Sequence, residues 1–101
     1  MKELHAYYNG NDTLFAYDKE DALKVLEESY GKGYLEGSED TVDSLTEITD
    51  MEQPYTLYTE DMVKDFKFPE GGIKVNDSTI KATIGAWKNS IGRGFLGSEN
   101  Y

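Results

Sequence analysis

The chain contains no cysteine, which excludes disulfides and thiolate metal sites and leaves a fold that holds together without staples and can work in a reducing compartment. It has one histidine, His5, so a catalytic triad would have to be assembled around that single ring. No stretch of about 18 apolar residues, the length a spanning helix needs, occurs anywhere, and the opening MKELHAYYNG lacks the apolar centre of a signal peptide. The expectation is a cytoplasmic protein with no membrane partner.

Positive charge is also scarce, and its absence is localised. No Lys or Arg occurs from Gly33 to Val63, a window that holds Glu36, Glu39, Asp40, Asp43, Glu47, Asp50, Glu52, Glu60 and Asp61. Residues 36–67 carry a net charge of −8 out of −10 for the whole chain. Carboxylates at that density repel one another and project a negative potential over about 8–10 Å in physiological salt. Direct binding to nucleic acid or anionic lipid is disfavoured, and a basic protein surface is favoured.

What is present suffices for a folded domain. With 38% hydrophobic and 13% aromatic residues in 101, residues 1–101 read as a single domain with one modest core. LHAYY and TLFAY, separated by NGND, predict a β-hairpin around an Asn-Gly turn. Asp18 stands as the N-cap of a helix over DALKVLEESY that ends at Gly31, and its apolar stripe is expected to lie across the hairpin. GKGYLEGSED reads as a loop, DSLTEIT and PYTLYT as two strands, and EDMVKDF as a short helix capped by Thr59 and ended by Pro69. After an extended IKV, the spacing of Ile80, Ile84, Trp87 and Ile91 predicts a helix over about 79–90. Gly85 inside it implies either a close neighbour or a weak point. Phe95, Leu96 and Tyr101 in the closing segment are expected to bend back onto the core, the alternative being a peptide-like hook inserted into a partner. The expected fold is α+β: a small antiparallel β-sheet with two main helices and a short third helix packed on one face.

Catalytic signatures are missing. The serines lack a nucleophile-elbow setting, and GKGYLEG is not followed by the Lys-Ser or Lys-Thr of a phosphate loop. With 20 acidic residues, no carboxylate pair stands out as an acid/base couple. Asp40, Asp43, Glu47 and Asp50 have no calcium-loop glycine and terminal glutamate around them. The chain reads as a non-enzyme with no metal and no cofactor. Tyr55 and Tyr58 lie next to acids of the window, and acids mixed with tyrosines suit an Arg-rich partner. The candidate partner-binding residues are therefore these two tyrosines and the nine acids of the window.

The stretch YYNGNDTLFAYDKEDALKVLEE, together with Trp87 in a late helix and the closing GRGFLGSENY, resembles small acidic proteins encoded by phages and prophages. That resemblance implies the cytoplasm of an infected bacterium as the setting and a class that includes anti-CRISPR inhibitors of host defence. It transfers no catalytic residue. Joined to the charge map, it implies a stoichiometric inhibitor that presents carboxylates, in the manner of a DNA mimic, to the basic surface of a nucleic-acid-handling protein such as a CRISPR effector. The alternative is a non-catalytic phage structural or regulatory protein that self-associates, as a homodimer, through the aromatic hairpin or the tail.

Overall fold

The computed structural model describes residues 3–37, 41–58 and 68–98. The chain divides into two compact units, one formed by residues 1–49 with 93–101 and the other by residues 50–92. Each has its own antiparallel sheet, so the architecture is α+β with two small sheets in place of the single expected one.

The first unit opens with the expected hairpin. β1 (His5–Tyr8) and β2 (Asp12–Ala16) pair with Tyr7 opposite Leu14 and Ala6 opposite Phe15. Every residue of β2 is buried, because it is an inner strand of a four-stranded sheet. α1 (Lys19–Tyr30) begins where Asp18 Oδ1 accepts from the backbone N–H of Asp21 at 2.7 Å. The Asp21 side chain returns the favour by accepting from the Tyr17 N–H at 3.0 Å, which satisfies two amides at the helix start. Ala22, Val25 and Leu26 of α1 pack on Tyr7, Leu14, Ala16 and Leu45. Burial of each Val or Leu stabilises by about 1.5–3 kcal/mol.

The GKGYLEG loop contains one helical turn, α2 (Tyr34–Gly37), and a 3₁₀ turn over Val42–Ser44 leads into β3 (Thr46–Ile48). β3 pairs with β1. The closing segment does return to the core, but as a strand. Residues Gly94–Ser98 pair antiparallel with β2, and a register shift between Thr13 and Leu14 leaves Leu96 as an extra residue, 2% exposed. This is β7 once the three strands of the second unit are counted in chain order. Tyr101 lies outside the described residues.

In the second unit β4 (Pro54–Tyr58), β5 (Ile73–Asn76) and β6 (Thr79–Thr83) form a sheet of order β4-β6-β5. The helix expected over 79–90 starts five residues late, as α3 (Ile84–Ile91). Its predicted first part is β6, for three physical reasons. Thr79, Ile80 and Thr83 are β-branched and suit a strand. Asn76 Oδ1 accepts from the Ser78 N–H at 2.9 Å and turns the chain back onto β5. Thr83 Oγ1 accepts from the Ala86 N–H at 3.1 Å and caps the helix there. The first two amides of α3, those of Ile84 and Gly85, donate to the carbonyls of Gln53 and Met51, each at 2.9 Å. Gly85 does have a close neighbour, since a Cβ on it would stand 3.2 Å from both Cβ and O of Met51. The strands expected over DSLTEIT and PYTLYT are present but belong to different sheets. The short helix expected over EDMVKDF, with its Thr59 cap, lies outside the described residues.

Candidate functional site

The base-free window spans the change from one unit to the other. Glu36 sits on α2, Asp43 in the 3₁₀ turn and Glu47 on β3, all in the first unit. Asp50 and Glu52 lie in the turn before β4, and Tyr55 and Tyr58 on β4 itself, all in the second. The five carboxylates are exposed. Glu39, Asp40, Glu60 and Asp61 lie outside the described residues.

Local chemistry explains how these carboxylates are held. Asp50 Oδ1 accepts from the Glu52 N–H at 3.0 Å, a turn closed by a short acidic side chain. Thr41 and Ser44 bracket Asp43, with the Thr41 N–H donating to Ser44 Oγ at 3.0 Å. Glu47 is exposed at the sheet edge on β3, with its Oε2 3.3 Å from His5 Nδ1 on β1. That contact is an ion pair when the imidazole is protonated. Among the described residues, Glu36, Asp43, Asp50 and Glu52 form no salt bridge with Lys or Arg. Among the described residues, these four carboxylates are therefore not neutralised by a salt bridge.

Tyr55 and Tyr58 do not share a surface. Three positions apart on a strand, they fall on opposite faces of β4. Tyr55 lies on the face of buried Leu57 and is partly buried, and its carbonyl accepts from Trp87 Nε1 at 3.0 Å. Tyr58 is 50% exposed. Of the two, Tyr58 is the one whose ring reaches solvent on the outer face.

Sequence reasoning did not find two further polar clusters, both in the first unit. Arg93 reaches back to α1: Nε and Nη2 donate to Asp21 at 3.0 and 2.8 Å, and Nη2 also donates to Glu28 at 2.8 Å. The guanidinium holds both carboxyls below their ordinary range, and the carboxylates push Arg93 further up. In the second cluster Asp12, 2% exposed, accepts from Tyr30 Oη at 2.6 Å, Asn11 Nδ2 at 3.2 Å and Asn9 Nδ2 at 3.1 Å. Tyr30 stacks on Tyr34 with centroids 4.6 Å apart and meets the edge of Phe95 at 5.8 Å. Tyr7, buried beneath α1, has its hydroxyl pKa raised first by burial and then by the fields of Glu47, Asp18 and Asp21.

Among the described residues, no group of three or more His, Asp and Glu side chains could hold a metal, and no helix is long and apolar enough to cross a membrane. No family model, curated protein or solved structure matches this chain.

Proposed function

We propose that this chain is a stoichiometric protein inhibitor whose exposed carboxylates bind the basic face of a nucleic-acid-handling protein, such as a CRISPR effector, in the cytoplasm of an infected bacterium. The observation that carries the reading is the window from Gly33 to Val63: it lacks Lys and Arg, and each of its described carboxylates is exposed. A surface that binds nucleic acid is built from Lys and Arg matched to phosphates. Carboxylates on a folded frame can occupy it without the ordering cost of a flexible acidic tail. Steering by the net charge of −10 speeds the encounter and makes it salt-sensitive. Tyr58, half exposed within the window, adds an aromatic face for an Arg side chain.

The action proposed is occlusion, with no catalytic step. The test is binding of the wild-type chain and of a double variant, Asp43→Lys with Asp50→Lys, to the captured target at several salt concentrations. The variant should associate about tenfold more slowly at low salt and show a flatter salt dependence. Equal binding by both chains at all salt concentrations would remove the carboxylates from the interface.

A further inference from the structure

The turn between β1 and β2 places reactive chemistry around one side chain, Asn9. Its carboxamide oxygen, Oδ1, accepts from two backbone N–H groups, those of Asn11 at 2.9 Å and Asp12 at 2.6 Å. Two amides converging on one carbonyl oxygen form the arrangement that stabilises the oxyanion of an acyl transfer. The carboxamide nitrogen, Nδ2, donates to Asp12 Oδ2 at 3.1 Å. Tyr30 and Asn11 both hold the other oxygen of Asp12, Oδ1, so the buried carboxylate presents Oδ2 to the amide in a fixed orientation. The next residue is Gly10, exposed and at φ +100°, with nothing within 4 Å of where a Cβ would be. Glycine itself carries no side chain to hinder its backbone nitrogen.

We propose that Asn9 is a self-modifying site, at which the folded hairpin promotes conversion of the asparagine to aspartate or isoaspartate. The Gly10 nitrogen bonds to Asn9 Cγ, and the N–H groups of Asn11 and Asp12 stabilise the charge that develops on Oδ1. The Cγ–Nδ2 bond then breaks, and ammonia departs with the proton that the Gly10 nitrogen has lost. Water adds to either carbonyl of the cyclic imide and opens it, leaving a carboxylate at position 9. Asp12 Oδ2 orients the leaving nitrogen.

The product changes the turn. In the aspartate product a donor to Asp12 becomes a second carboxylate about 3.1 Å from a buried one, and two carboxylates that close resist being ionised together. In the isoaspartate product the backbone runs through Cγ and the Nδ2 donor to Asp12 is lost. The hairpin therefore loosens around Asp12 and Tyr30 as the protein ages. Asn76 supplies an internal comparison, because its Oδ1 also accepts two hydrogen bonds, from Ser78 N at 2.9 Å and Ser78 Oγ at 3.2 Å, but Asp77 follows it instead of a glycine.

The test follows the full chain at neutral pH, folded and in urea, with peptide mapping by mass spectrometry for amide-to-acid conversion and for isoaspartate at each asparagine. The expected result is conversion at Asn9 several-fold faster in the folded chain than in urea, with Asn76 unconverted. Gly10→Ala should abolish the reaction at Asn9. Asp12→Asn, where circular dichroism shows it folded, should slow the reaction while leaving it faster than in urea, because the two backbone donors remain. Conversion at Asn9 that is no faster folded than in urea overturns the proposal, because the hydrogen bonds then only lock the turn. That comparison needs no variant and so does not depend on any variant folding.

Discussion

A carboxylate buried to 2% exposure survives only if its oxygens are paired, and Asp12 has Tyr30, Asn9 and Asn11 as donors. Tyr30→Phe removes the shortest of these bonds and should lower stability by about 1–2 kcal/mol, read from the urea midpoint at unchanged slope. Arg93 is the other residue whose contacts outweigh its position in the chain. It lowers the Asp21 and Glu28 carboxyls, so the unfolded chain takes up protons at higher pH than the folded one. The stabilisation is therefore present above the ordinary carboxylate range, near about pH 4. It is lost as the pH falls through the lowered folded values. Arg93→Gln should cost about 1 kcal/mol at neutral pH, discounted because the pair is partly solvated, and should flatten the loss of stability on acidification. Neither cluster was legible beforehand, because Arg93 lies 72 residues from Asp21 and Tyr30 lies 18 from Asp12. The Asp18 cap was legible, since its partner is three residues away and the signal is local.

At the scale of elements, α3 and the strand before it show how one hydrophobic spacing serves two structures. Ile80 and Ala82 point inward from β6, and Ile84 and Trp87 point inward from α3. A strand that runs straight into a helix can thus present apolar residues at positions that also fit one helical face, and Ile80 was read as helical for that reason. What decides the boundary is the Thr83 cap and the pairing of β6 with both β4 and β5. The Asn76 turn was the overlooked signal. Gly85→Ala would gain about 1 kcal/mol of helix propensity, yet it would press a methyl against Met51 Cβ and a backbone oxygen, each 3.2 Å away. Overpacking of about 1–3 kcal/mol should win, lowering the melting temperature by several degrees. Trp87→Phe leaves the Tyr55 carbonyl without its donor and opens a void in the core of the second unit. It should destabilise by about 2 kcal/mol in a denaturant titration.

For the whole molecule, the α+β class followed from alternating strand and helix signals, and the separation into two sheets did not. Nothing in the spacing of TEI and PYTLY tells that the first pairs with β1 and the second with β6, because strand partners are chosen by tertiary packing. The charge map needs no partner choice to be read, and the exposure of Glu36, Asp43, Glu47, Asp50 and Glu52 accords with it. The tyrosines were read as a pair, and strand alternation separates them. The most direct test of the proposed function is an affinity pull-down from bacterial lysate, nuclease-treated, at low and high salt, with the Asp43→Lys, Asp50→Lys chain alongside. The account predicts a basic nucleic-acid-handling protein that elutes with salt and that the variant fails to retain. Prey that is acidic or apolar, or that the variant captures equally well at high salt, would contradict it.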